Sequence, residues 1–431
     1  MKNNKKSIII ALIVLIIIGI LFAFFTIYKI NSNNFTKEKY KLGIQTEDNT
    51  VLNEETINEM VEQEANKYIE NTAIEEKTQY DYNSLEKEDT STELFNEYYA
   101  KAIEILKTMS LEEKVGQLFL ARYPEENVNK EIRENFPGGY ILFGKDFKNE
   151  TVETINKKIR DNQNNSKIKL ILGVDEEGGE VVRVSAYKQY KDSKFKSPQE
   201  LDLEGGIDKI IEDSHEKTSL LKSLGLNLNL VPVSDVSTNT DSFIFKRTYG
   251  KNAEETAMYS KSIVKAMNED KMVSAMKHFP GYGDNVDTHT EVAIDERDLS
   301  QFVESDLKPF KAGIVEGVPI ILVNHNIVKC MDNDLPSSLS KSVHEYLRKE
   351  LNFSGIILTD DLAMDAVKEY VDKGKAAVQA IIAGNDMIIS SDFVRQKGEV
   401  LEAVKNNTIS EDTINRAARR ILACKLAYGI I

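Results

Sequence analysis

Ile168-Lys-Leu-Ile-Leu-Gly-Val-Asp-Glu-Glu-Gly-Gly179 opens as an apolar run and closes on three carboxylates and two glycines. An apolar run of this length without strict alternation is what a strand buried on both faces looks like, and such strands belong to parallel sheets covered by helices. The pattern recurs at 117–121, 139–143, 226–232, 273–278, 319–324, 355–359 and 386–390, giving eight strand candidates with 168–174. Amphipathic helical stretches lie between them, among them 208–224, 253–269, 307–316, 340–351 and 373–383. Eight strand–helix units in about 340 residues predict an α/β fold, a single (β/α)8 TIM-type barrel. A doubly wound open sheet is the alternative, but it calls for a glycine-rich phosphate turn after a strand, and none follows one here.

A barrel of this kind gathers its chemistry at the carboxy-terminal ends of the strands. Those ends carry Asp175-Glu-Glu177, Asp235, Lys277-His278, Asn324-His325 and Asp360-Asp361. For Asp235 and Asp361 two readings stay open, a helix N-cap or a group of the site. Several ionisable groups on one rim point to a site. The densest stretch is Lys277-His-Phe-Pro-Gly-Tyr-Gly-Asp-Asn-Val-Asp-Thr-His289, whose proline and glycines make a tight loop over the barrel mouth. Asp287 and His289 stand one residue apart, so the carboxylate can hold the imidazole, fix its tautomer and raise its pKa toward that of a useful acid/base. A metal held by His278, Asp287 and His289 is the rival reading. No HExxH-type spacing supports it, and neither metal nor cofactor is expected.

The 431 residues carry 70 Asp and Glu against 55 Lys and Arg, a net charge of −15 that argues against a nucleic-acid partner. Residues 51–100 alone hold 14 acidic residues and 3 lysines, so the rest is nearly neutral. Two distant cysteines, Cys330 and Cys424, build neither a disulfide framework nor a CxxC metal site. Residues 7–28 form an uncharged apolar run of 22, long enough to cross about 30 Å of hydrocarbon, with no small-x-small cleavage site after it. The expected order is a short flank (1–6), a transmembrane anchor (7–28), an acidic stalk (29–92) and the barrel (93–431). Lysines flank the run on both sides, so charge does not orient it; the short amino-terminal flank places the barrel outside the cytoplasm. Ser110-Leu-Glu-Glu113 reads as a capping box near the barrel's start. A lone barrel is expected to be a monomer.

These residues resemble glycoside hydrolase family 3, in its β-N-acetylhexosaminidase branch. The family's KHFPGHG and D-[ST]-H correspond to Lys277-His-Phe-Pro-Gly-Tyr-Gly283 and Asp287-Thr-His289, its D-x-E-G-G turn to Asp175-Glu-Glu-Gly-Gly179, and its nucleophile segment to Thr359-Asp-Asp-Leu-Ala-Met364. The likeness runs from about Met109 to Lys425. It implies a retaining exo-β-N-acetylglucosaminidase acting on GlcNAc-containing glycans such as cell-wall fragments. Asp360 would be the nucleophile, His289 the acid/base and Asp287 its partner, while Asp175, Arg183, Arg247, Lys277 and His278 would hold the terminal sugar. Tyr282 departs from the family's second histidine, and the loop is one residue shorter before Asp287. Glu176 and Glu180 replace Gln and Arg and are expected to alter what is tolerated around the sugar. The alternatives are another family 3 β-glycosidase, an N-acetylglucosaminide phosphorylase, since a neutral imidazole repels phosphate less than a carboxylate does, and an inactive glycan-binding surface protein.

Overall fold

Each of the eight apolar runs contains a strand. A computed structural model describes residues 80–88, 90–283, 293–364 and 375–431. The apolar run 7–28, the stalk up to residue 79, Asp287 and His289 lie outside these residues. Among the described residues the strands are β1 (Phe119–Arg122), β2 (Gly139–Ile141), β3 (Ile171–Val174), β4 (Leu228–Asn229), β5 (Val273–Phe279), β6 (Ile294–Asp295), β7 (Ile320–Val323), β8 (Ile327–Val328), β9 (Ile356–Thr359) and β10 (Ile388–Ser390). Eight of them form one parallel sheet in the order β10-β1-β2-β3-β4-β5-β7-β9. A parallel bridge from Leu358 to Met387 joins β9 to β10 and closes the barrel. The two-residue strands β6 and β8 make a separate parallel ribbon beside it, which the sequence did not foretell.

The strands are buried on both faces, which is why they read as unbroken apolar runs. The register is tight enough to exclude side chains: a Cβ on Gly139 would lie 2.1 Å from the Ile171 carbonyl oxygen. Helices fill the crossovers. The predicted capping box is present, with Ser110 N–H donating to Glu113 Oε2 at 2.9 Å and Glu113 N–H to Ser110 Oγ at 3.3 Å. Helix Pro198–Ser223 is longer than the stretch 208–224 and breaks at Gly205 and Gly206, the latter at φ +65°. Among the described residues no helix is long and apolar enough to cross a membrane.

Helices Asn96–Leu106 and Glu411–Ala427 lie across the amino-terminal ends of the strands. Lys425 donates to Gln117 just before β1, Arg420 pairs with Asp386 just before β10, and the Tyr428 hydroxyl donates to Asn268 ahead of β5. The folded unit reaches back to Tyr80, into the stretch the sequence assigns to the stalk. Leu85 is buried, Tyr80 hydrogen-bonds Asp412, and Glu88 pairs with Arg416 and with Arg419, at 2.7 Å to Arg419 Nη1.

Lys425 is fully buried, and burial lowers its pKa from 10.5 to about 7. Above pH 10.5 neither folded nor unfolded chain protonates it. Between there and pH 7 only the unfolded chain does, so its contribution to stability falls as pH drops through that window. Lys425→Met should therefore stabilise the protein by roughly 2 kcal/mol at pH 7, with a smaller gain at pH 9.5, measured by denaturant unfolding at the two pH values.

Candidate active site

A cavity of about 660 Å³ opens at the carboxy-terminal ends of the barrel strands. Ile141, Leu230, Leu322 and Ile389, from four different strands or their ends, give it an apolar lining. Phe143 adds an aromatic face, and Arg122 at the end of β1, Asp175, Glu177 and Arg183 after β3, Arg247, Lys277 and His278, and Asp360 and Asp361 after β9 supply the polar wall. All five predicted sugar-binding residues thus face the same cavity as the predicted nucleophile. Asp287 and His289 lie outside the described residues.

The turn after β3 is shaped by glycine. Gly178 and Gly179 sit at φ +100° and +64°, and a Cβ on Gly178 would meet the Lys196 carbonyl oxygen at 2.1 Å. The four carboxylates in and beside this turn part company. Asp175 accepts from Lys277 Nζ at 2.6 Å and stands 3.7 Å from Arg183 Nη2. Glu176 points away from the cavity: fully buried, it accepts from the N–H groups of Arg183 and Val184 at 2.8 and 2.7 Å, and from the Ser185 hydroxyl. Glu180 is exposed and pairs with Lys246 at 3.2 Å. Neither Glu176 nor Glu180 lines the cavity: Glu176 serves as an internal brace for the 183–185 loop, which carries Arg183.

Glu177 is the central group that the sequence reading left out of the site. It accepts from Arg247 Nε at 3.0 Å and Nη2 at 2.8 Å, and pairs with Lys277 Nζ at 2.6 Å. Burial alone would raise its carboxyl pKa, but the charges of Arg247 and Lys277 outweigh that and hold it well below the usual carboxylate range. The legible signal was its place within the D-x-E-G-G turn at the end of β3, with one cation following β4 and the other on β5. Its bidentate grip fixes the guanidinium of Arg247, whose Nη2 lies 3.3 Å from His278 Nε2.

Asp235 resolves its two readings in favour of the site. It accepts from His278 Nδ1 at 2.8 Å, from the His278 backbone N–H at 3.0 Å and from the Tyr282 N–H at 2.9 Å. A proton on Nδ1 leaves Nε2 as an acceptor beside Arg247. Tyr282 is buried, edge-on to Phe243 and His278 at 5.1 and 4.9 Å between ring centroids. Asp360 begins where β9 ends: its N–H donates to the Val323 carbonyl at 3.0 Å, and its Oδ1 accepts from the Asp361 N–H at 2.8 Å. Asp361 turns the chain, accepting from the Ala363 N–H and the Ser391 hydroxyl, while His325 Nε2 donates to its carbonyl at 3.0 Å. Arg122 stacks on Phe143 at 4.2 Å, a further wall contact not read from the sequence.

Glu176→Gln and Glu177→Gln separate brace from wall. Both should destabilise the fold, Glu177→Gln by about 3 kcal/mol because two buried cations lose a partner. Only Glu177→Gln should weaken binding of N-acetylglucosamine, by about tenfold or more in calorimetric titration.

Residues 110–424 match the glycosyl hydrolase family 3 N terminal domain. A β-hexosaminidase of Nitrosomonas eutropha is 28% identical over 290 residues, 64% of this chain and 80% of that protein. One from Vibrio cholerae is 28% identical over 294 residues, 67% of this chain and 86% of the other. The solved structure of a family 3 β-N-acetylglucosaminidase from Paenibacillus superposes with a TM-score of 0.69 at 29% identity, covering 75% of this chain and 63% of that one. With its barrel, its rim of paired charges and these likenesses together, the chain belongs to glycoside hydrolase family 3.

Proposed function

We propose that the protein is a retaining exo-β-N-acetylglucosaminidase that removes terminal GlcNAc from glycans, cell-wall fragments among them. The observation that carries this reading is the convergence of Asp175, Arg183, Arg247, Lys277 and His278 with Asp360 on one cavity of the size that takes a small ligand. The β-hexosaminidase relatives supply the sugar class. In this reading Asp360 attacks the anomeric carbon as the aglycone oxygen leaves, forming a glycosyl-enzyme ester. His289, held in one tautomer by Asp287, gives its proton to that oxygen and then takes one from the water that cleaves the ester. Asp175 and Glu177 accept from sugar hydroxyls or hold the cations that donate to them. Their geometry is set before the sugar arrives, so little reorganisation opposes the reaction. By the same proposal, which rests on sequence alone, residues 7–28 anchor the chain in a membrane with the barrel outside the cytoplasm.

The full chain should release p-nitrophenol from p-nitrophenyl N-acetyl-β-glucosaminide, and Asp360→Asn should cut turnover by about 10³-fold or more while still binding N-acetylglucosamine. Unchanged turnover in the variant would remove the nucleophile from this account. Wild-type protein that binds the sugar without cleaving the glycoside would favour the inactive glycan-binding reading.

A further inference from the structure

The turn that leads from Lys277 and His278 toward residue 284 is gripped from two sides. On one side Asp235 accepts from the N–H groups of His278 and Tyr282. On the other, the chain runs so close to a buried ion cluster that only glycine fits. Gly281 lies at φ +126°, where a Cβ would stand 2.4 Å from Asp306 Oδ1; Gly283 lies at φ +58°, where a Cβ would stand 2.6 Å from Arg297 Nη2. Arg297 belongs to the returning chain. That chain comes back at buried Ala293, pairs Ile294 and Asp295 with Ile327 and Val328, and then places the Arg297 guanidinium between two carboxylates. Nε and Nη2 donate to Asp295 at 3.0 and 2.8 Å, Nη1 and Nη2 donate to Asp306 at 2.8 and 3.2 Å, and the plane stacks on Phe302 at 4.2 Å. Asp295 and Asp306 are 2% and 1% exposed.

We infer that Arg297 is a positioning residue for catalysis: by seating Gly283 against the Asp295–Asp306 pair it fixes Gly283 relative to Ala293, the described residues on either side of segment 284–292. This rests on the proposed roles of Asp287 and His289, which that segment carries. The chemistry requires a guanidinium. Its planar fork serves two carboxylates at once and offers a flat edge to a glycine backbone, whereas an ammonium is a compact point charge with neither property. A cluster serving stability alone would need no contact with the departing chain. Here the two glycines and the arginine lock Gly283 to the chain that resumes at Ala293, so a small change at Arg297 shifts these two residues relative to each other.

The test uses the full chain with Arg297→Lys, and Gly283→Ala as a second route to the same displacement should the lysine variant fold poorly. His289→Ala is the reference. Values of kcat/KM are measured on p-nitrophenyl N-acetyl-β-glucosaminide, whose leaving group needs little protonation, and on the methyl glycoside, whose leaving group needs it. Arg297→Lys should lose about 30-fold or more on the methyl glycoside but stay within about threefold on the p-nitrophenyl one. Inhibition by N-acetylglucosamine should be unchanged, showing an intact sugar pocket. Gly283→Ala should follow the same split. Equal losses on both substrates, or no loss, in Arg297→Lys and Gly283→Ala while His289→Ala shows the split would overturn the role of Arg297. If His289→Ala itself shows no split, the acid/base assignment fails and the inference falls with it.

Discussion

The seam between β9 and β10 rests on few bonds. One bridge joins Leu358 to Met387, with Thr359 N–H donating to the Met387 carbonyl at 3.1 Å. Beneath it the Asp386 carboxylate accepts the Ile357 N–H at 2.8 Å and is held by Arg348 at 2.5 Å and by Arg420. Burial and the nearby charge of Arg420 push Arg348 down to about 10, while Arg420 itself stays well above its ordinary value through Asp386. Two cations on one buried carboxylate make a costly arrangement. It is tied to closure, since an open parallel sheet would leave two unpaired edges and would not bring Asp360, at the end of β9, across from Asp175 and Lys277.

At the mouth the same logic of paired charges recurs with a different result. Glu177 is locked between Arg247 and Lys277, and Asp235 fixes His278. These groups are held by one another and by the strand ends, so the wall is rigid where a sugar would touch it. The apolar lining beneath strengthens each electrostatic contact by keeping the local dielectric low.

The barrel was legible because its evidence is local. A strand buried on both faces leaves a continuous apolar run, and all eight runs contain strands. The capping box at Ser110 was legible for the same reason. What escaped depends on residues far apart in the chain. Glu177 reads as one more acid until Arg247, seventy positions on, folds over it. Glu176 and Glu177 are adjacent and identical, yet one braces a loop and the other lines the cavity, a difference that only the direction of the turn decides. The ribbon of β6 and β8 is too short to show a period, and the helix through Gly205 and Gly206 hides its first turns behind a break. Residues 80–88 look like more acidic spacer because Glu88 finds its partners, Arg416 and Arg419, more than three hundred residues later.

That late partnership also gives the molecule a front and a back. Tyr80 and Glu88 join the terminal helix, which lies across the amino-terminal ends of the strands, while the cavity opens at their carboxy-terminal ends. Residues 80–88 thus lie on the pole of the folded unit away from the opening. A long polymer can therefore reach the mouth without meeting residues 80–88.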